Sequence, residues 1–240
     1  MSGSGNTQRP GTAREQAEPS RLCDTLPGLL DLVWEHLCRG VASARHGFHL
    51  PVLASAAPGG EPSARVVVLR GVERQGAGPD ADAARRSNRG GSPAAGASGP
   101  AVWCHTDARA EKIHHALERP AGAWCFYDRE AKLQVRAVGV HHVHRRDALA
   151  DAAWAGSRPS SRRCYLAPLP PGTPTPAPDP NLPADARHDI PAVDRLEDGR
   201  RHFAVLRLAV HTLEVLHLHH AGHRRARFDL RADQASWLAV

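Results

Sequence analysis

Lysine is almost missing from this chain. Of 31 basic residues in 240, Lys112 and Lys132 are the only lysines. With abundant alanine, glycine and proline, this bias reads as GC-rich coding, so arginine chemistry need not be sought at every arginine. Aromatics are scarce at 5%; they do not interleave with the basic residues as a nucleic-acid surface requires, and no nucleic-acid motif is present. No run approaches the roughly 18 apolar residues of a spanning helix, so no membrane partner is expected. Residues 1–19 are polar and lack the apolar core of a signal peptide. The cysteines are few and odd in number. Cys23, Cys38, Cys104, Cys125 and Cys164 form no C-x-x-C pair, which argues against a zinc ribbon and a disulfide framework and for a reducing compartment. A soluble cytoplasmic protein is expected.

The chain does carry net positive charge, +6 with a pI near 9.5. Such a balance suits anionic partners, among them phosphorylated cofactors, or it is simply a solvated basic surface. At 240 residues with 41% hydrophobic content, one domain with tails or insertions is expected. Residues 1–19 read as a disordered tail and 20–240 as the domain. Two low-complexity insertions interrupt it. Residues 74–99 are rich in Gly, Ala and Arg, and 168–196 carry a dense proline series; neither has the composition to build a core.

The remaining segments are patterned. From Leu26 to Ala44, Leu29, Leu30, Val33, Leu37 and Val41 recur at helical spacing. Strand-like runs follow at 49–55, 65–70, 101–105, 121–127 and 133–143, and a long alternating run covers 202–217 before a turn at Ala221-Gly222 and a last strand at 224–230. Further helices are expected over about 107–117, with Asp107 as N-cap, and about 146–155. Antiparallel strands with few helices favour a mainly β fold, a barrel with flanking helices, over a parallel crossover sheet.

Four stretches could carry chemistry. In Arg65-Val66-Val67-Val68-Leu69-Arg70, strand alternation separates Arg65, Val67 and Leu69 from Val66, Val68 and Arg70. In Thr106 to Lys112 a strand opens into a helix, whose free N–H groups, with the Thr106 hydroxyl and the Lys112 charge, suit a phosphate; capping by Asp107 beside a solvated lysine is the plainer reading. Gln134, on the strand Leu133 to Gly139, can offer both donor and acceptor to a ring edge, or face solvent. Finally, alternation places His223, Arg225 and Arg227 in one row, an anion clamp or a charge-protected edge strand.

In order and spacing the four stretches, with Trp154 and Ser157-Arg158-Pro159, resemble the FMN-binding split barrels related to pyridoxamine 5′-phosphate oxidase, over about Leu26 to Phe228. The resemblance implies an antiparallel split β-barrel that dimerises with FMN between the subunits. It implies that Arg65 and Lys112 meet the FMN phosphate near Thr106, that Val66, Val67 and Val68 run beside the cofactor, that Gln134 reaches the flavin ring, and that Arg227 approaches from the last strand. Arg70 faces the same site. It further implies a small phosphorylated substrate, such as pyridoxamine or pyridoxine 5′-phosphate, held by Arg158 and Arg225, with His223 and Arg225 as the catalytic pair. The family's phosphate-turn serine is Ala110 here, and Glu111-Lys112 replaces an Arg-Lys pair, so Arg109 is the candidate to restore the lost charge and Glu111 is placed outward. The terminal histidine and arginine stand in reversed order, which supports FMN binding more than this substrate. A split-barrel flavin or haem binder with another activity, or none, is the alternative. The histidines at 141, 142, 144, 217, 219, 220 and 223 lack an H-E-x-x-H spacing or an acidic companion, and no metal site is assigned to them.

Overall fold

The computed structural model describes residues 21–74 and 99–240. The expected tail at 1–19 and nearly all of the 74–99 insertion lie outside the described residues. Nine strands form one antiparallel sheet: β1 (Val52–Ala56), β2 (Pro62–Val66), β3 (Gly71–Glu73), β4 (Ala101–Asp107), β5 (Ala121–Asp128), β6 (Leu133–His144), β7 (Phe203–His217), β8 (Arg224–Asp229) and β9 (Gln234–Leu238). The main path runs β2-β1-β5-β6-β7-β4-β3. β7 is the branch point. One of its edges pairs with β6; the other pairs with β4 over Phe203 to Ala209 and then with β8 over Thr212 to His217. The sheet therefore divides instead of closing, and it is the expected split barrel, mainly β with flanking helices.

Where β6 crosses β7 the register shifts between Val138 and Gly139. A Cβ on Gly139 would sit 1.9 Å from the Ala209 carbonyl oxygen, so this bulge admits only a residue with no side chain. Inward-facing residues of β1, β5 and β6, including Leu53, Trp124, Phe126, Leu133 and Val135, pack with Phe48 and with the apolar face of α1 (Leu26–Ala42) into the main core. Thr25 caps α1 by accepting the Gly28 N–H at 3.2 Å. This end of the fold follows the helical pattern read from the sequence.

Three local expectations are corrected. The stretch Arg65 to Arg70 is not one strand. β2 ends at Val66, and 67–70 cross from one edge of the sheet to the other, held by Val67 N–H to Pro51 O, Leu69 N–H to His49 O and Arg70 N–H to Trp103 O. The alternation nevertheless survives: Val67 and Leu69 are buried, Val66 and Arg70 exposed. The helix expected from Asp107 begins four residues later, as α2 (Glu111–Glu118), with Ala110 at its N-cap position. Asp107 instead ends β4 and accepts the Arg109 N–H. A short edge strand, β9, was not read from the sequence. By contrast α3 (Ala148–Ala155) starts close to expectation, with Asp147 accepting from Ala150 N–H.

Residues 168–196 are mostly exposed and irregular. They are nonetheless stapled down. Arg109 donates to the carbonyls of Ala167 and Pro168, Asn181 brackets Leu169 through both its amide atoms, and Ala186 and Leu196 bury with Leu166 in a small cluster. Leu196 belongs to α5 (Val193–Glu197), which follows the one-turn α4 (Pro159–Arg162) in the helix series.

Candidate functional site

The connection 67–70 closes one side of a cleft of about 360 Å³. One wall is Val66 to Val68 with Arg70. The floor is Arg65, from β2, Thr106, from the end of β4, and Lys112, from the first turn of α2. The far wall brings His105 together with Ser157, Ser161, Cys164 and Tyr165 from the segment after α3. The strand end and helix start that could each be ordinary in isolation thus converge on one concavity.

The charges here have neutral partners. Lys112 Nζ donates to Thr106 Oγ1 at 2.9 Å. Burial pulls the Lys112 ammonium below its usual range, with Arg65 adding repulsion and Cys104, Asp107 and Glu111 opposing. A buried ammonium in this state gains from an incoming anion. Arg65 donates to Ser55 Oγ at 2.7 Å and to Ser63 Oγ at 2.5 Å. The nearest carboxylate oxygen paired with it is Glu111 Oε2, at 3.9 Å, on a side chain that is 72% exposed. Across the cleft, burial and then the neighbouring Arg70 push His105 down to about 3, so it is a neutral imidazole at physiological pH. Burial likewise raises the Tyr165 phenol. The cleft therefore sets Arg65, Arg70 and Lys112 among neutral hydrogen-bonding groups, and it is fitted to a ligand with an anionic end.

Of the residues singled out in the sequence, Arg65, Val66, Val67, Val68, Arg70, Thr106 and Lys112 meet in this cleft. Arg109 does not. Its guanidinium is bidentate on Asp107, at 3.0 and 2.7 Å, and donates on to Ala167 and Pro168; its charge is neutralised and its role is to hold the proline-rich segment. Arg158 is exposed between the two lining serines in sequence, outside the lining itself. Gln134, Arg225 and Arg227 share the outer face of the sheet, away from the cleft of their own chain. Their register makes this plain: Gln134 pairs with Leu216 and Leu216 with Arg225, while Arg136 pairs with Glu214 and Glu214 with Arg227. Glu214 accepts from Arg225 at 2.7 Å, Arg227 at 3.3 Å and Arg136 at 3.3 Å. His223 sits in the preceding turn, where its Nδ1 accepts the His219 N–H. Sequence reasoning missed His105, Ser161, Cys164 and Tyr165. For His105 a signal existed, since it immediately precedes Thr106; nothing local announces the other three.

Among the described residues one group has metal-ligand spacing: His36, His46 and Asp128, with donor atoms within 4.8 Å of one another. The His36 Nδ1 is buried without a hydrogen bond, 3.8 Å from Asp128 Oδ2. However, His46 Nδ1 accepts the Phe48 N–H at 3.1 Å. That leaves the ring hydrogen on Nε2, where a metal would need the lone pair. The group is a polar cluster tying the turn after α1 to the end of β5.

Residues 32–145 match the family model described as pyridoxamine 5′-phosphate oxidase, FMN-binding domain. The fold is a split barrel, and this stretch resembles the pyridoxamine 5′-phosphate oxidase FMN-binding domain family. The matched stretch contains Arg65, Thr106, Lys112 and Gln134, and it ends before Arg158, His223, Arg225 and Arg227. Two solved structures share the split-barrel fold at low identity. One is a pyridoxamine 5′-phosphate oxidase-related, FMN-binding protein from Nostoc punctiforme, at 18% identity and a TM-score of 0.58, covering 88% of this chain and 95% of that one. The other is PhzG from Burkholderia lata, solved with tetrahydrophenazine-1-carboxylic acid, at 15% identity and a TM-score of 0.58, covering 92% and 96%. No curated protein matches the chain. Among the described residues no helix of this split barrel is long and apolar enough to cross a membrane.

Proposed function

We propose that the protein is an FMN-dependent oxidoreductase that binds the flavin phosphate in the cleft and works as a homodimer on a small phosphorylated substrate. The observation that carries this reading is the meeting of Arg65, Thr106 and Lys112 on one floor, with hydroxyl partners that leave their positive charge available. These residues fit a phosphate. Arg65 and Lys112 would hold it by charge-assisted bonds, Thr106 would add a hydroxyl, and Val66 to Val68 would flank the rest of the cofactor. Bound there, FMN would supply two-electron redox chemistry toward the substrate, with molecular oxygen as the proposed final acceptor. The chain's part is to bind, orient and shield. Arg70 and neutral His105 face the same cleft and would orient the substrate without competing for the phosphate proton.

The dimer is supported by the outer face. Val66, at 60% exposure, lines the cleft and continues in register through Val52 to Cys125, with Tyr127 (48% exposed) and Val138 beside them. An apolar strip of this kind next to an open cleft marks an interface. A second copy seated on it would bring Gln134, Arg225 and Arg227 of the partner subunit toward the flavin and complete a site that one chain leaves half built. The substrate class, pyridoxamine or pyridoxine 5′-phosphate, rests on Arg158, Arg225 and His223. Five cysteines with no C-x-x-C pair suit the reducing cytoplasm.

The test is purification without added flavin, followed by an absorbance spectrum, light scattering and an oxidase assay on pyridoxamine 5′-phosphate. A flavin band near ~450 nm that is released as FMN, together with a dimer, supports the reading. A Soret band would replace it with a haem binder on the same fold. Bound FMN without turnover would leave a flavin carrier or an enzyme of another substrate.

A further inference from the structure

Arg65 is held by a network that does not itself line the cleft. Its Nη1 donates to Ser55 Oγ at 2.7 Å and Ser63 O at 3.2 Å, and its Nη2 donates to Ser63 Oγ at 2.5 Å. These bonds engage three of the guanidinium's five hydrogens and leave the Nε hydrogen and one on Nη2 for a ligand. Behind Ser55 stands His115. Both are buried, at 7% and 3% exposure, and Ser55 Oγ lies 3.0 Å from His115 Nδ1.

Arginine only donates, so Ser55 Oγ accepts from Arg65, and with His115 in the tautomer that leaves Nδ1 unprotonated the hydroxyl sends its own hydrogen to that nitrogen. His115 then carries its hydrogen on Nε2, which faces Glu111 Oε1 at 3.6 Å. The chain of donors runs from the cleft cation through a hydroxyl to a buried imidazole, with the exposed Glu111 carboxylate beyond hydrogen-bond distance of it. Neither buried group would be satisfied without it.

We propose that Ser55 and His115 are positioning residues for recognition of the ligand's anionic end. The inference rests on the flavin reading for the identity of that ligand. Its physical content is a choice of partner. A carboxylate against Arg65 would fix the side chain equally well but would cancel the charge the phosphate needs. A hydroxyl, itself locked by a buried imidazole, fixes the guanidinium and leaves its charge intact. Arg65 thereby meets the anion already oriented, without the entropy cost of ordering a long side chain on binding.

The experiment titrates the parent, Ser55→Ala, His115→Phe and His115→Asn with FMN and with riboflavin, which has the same ring and no phosphate, following flavin fluorescence. The parent is expected to prefer FMN. Ser55→Ala and His115→Phe should each weaken FMN binding about tenfold, the scale of one hydrogen bond to a charged group, while riboflavin binding stays at the parent's level. His115→Asn, whose amide oxygen can take the place of the Nδ1 acceptor, should keep most of the FMN affinity. In an Arg65→Ala background Ser55→Ala should cost nothing further. Unchanged FMN affinity in Ser55→Ala and His115→Phe would overturn the inference alone. So would equal losses for both flavins, which mark a distorted fold, a His115→Asn as poor as His115→Phe, or a full Ser55→Ala loss without Arg65. A parent that binds neither flavin removes the proposed function, and this inference with it.

Discussion

Two groups of cations in this molecule look alike in sequence and differ in what they can do. On the cleft floor, Arg65 and Lys112 rest against the hydroxyls of Ser55, Ser63 and Thr106. On the outer face, Arg136, Arg225 and Arg227 share the carboxylate of Glu214, and on the cleft's flank Arg109 is locked on Asp107. A neutral partner orients a cation and leaves its whole field; a carboxylate orients it and offsets one unit of charge, which on the outer face is shared among three arginines. Counting arginines therefore says little about anion binding, whereas asking what each one already touches says a good deal.

The largest effect that separates the two regions is acid. On the cleft side, burial and Arg70 hold His105 at about 3, and burial, with His142 and Arg65, holds His141 at about 4. Both sit below the 6.5 of an unfolded histidine, so their contribution to stability is complete above pH 6.5 and is lost as pH falls, because the unfolded chain takes up protons that the folded chain refuses. With two such groups the slope is about 2.7 kcal/mol per pH unit between roughly pH 6 and 4. On the outer face, the Arg225 hydrogen bond leads in lowering the Glu214 carboxyl, with Arg227 and Arg136 assisting and partial burial opposing. Its contribution persists below pH 5 and is lost only as pH falls through its depressed folded value. Urea unfolding across this pH range should show the histidine loss first; a flat profile from pH 6 to 4.5 would break the distinction.

Next in size is the cleft floor itself. Arg65→Ala and Lys112→Ala should each cost about 1.5–3 kcal/mol of FMN binding, roughly tenfold to a hundredfold in Kd, read by fluorescence titration at one ionic strength. Gln134→Ala and Arg227→Ala should cost less, about 0.5–1.5 kcal/mol. Their loss should shrink further under dilution that dissociates the dimer, since both lie on the outer face of their own chain. If Arg227→Ala costs as much as Lys112→Ala in a monomeric protein, the shared Glu214 carboxylate does not hold Arg227 away from the ligand as the comparison requires. The smallest effect belongs to Glu111. Its exposed carboxylate lies 3.9 Å from Arg65, so Glu111→Ala should leave FMN affinity within about 0.5 kcal/mol of the parent or improve it slightly. A clear loss on that substitution would place Glu111 among the groups that hold the phosphate.

Much of the fold was legible because its signals are local. The period of α1, the alternation of β5, β6 and β7, and the Asp147 cap each lie within one segment. The boundaries at Arg65 to Arg70 and at Asp107 were harder. There the chain leaves one ladder for another, and the competing partners, Pro51, His49 and Trp103, come from elsewhere in the sequence. Arg109 was misassigned for the same reason. Its neighbour Asp107 is visible in the sequence, but the carbonyls of Ala167 and Pro168 are not adjacent to it until the proline-rich segment folds back.

By itself, then, the sequence determined the mainly β class and the alternation that separates Val66, Val68 and Arg70 from Val67 and Leu69, since both follow from residue type and local spacing; the pairing of Arg65 with Lys112 was what the family resemblance implied. Only the tertiary structure decided which cations remain uncompensated. It set Ser55 and His115 behind Arg65, Glu214 among three arginines, and Tyr165 and Cys164 in one cleft with Arg70. Charge compensation depends on distances between side chains that are 10 to 60 positions apart in the Arg65–Ser55–His115 network, and no pattern along the chain encodes those distances before the sheet has curled.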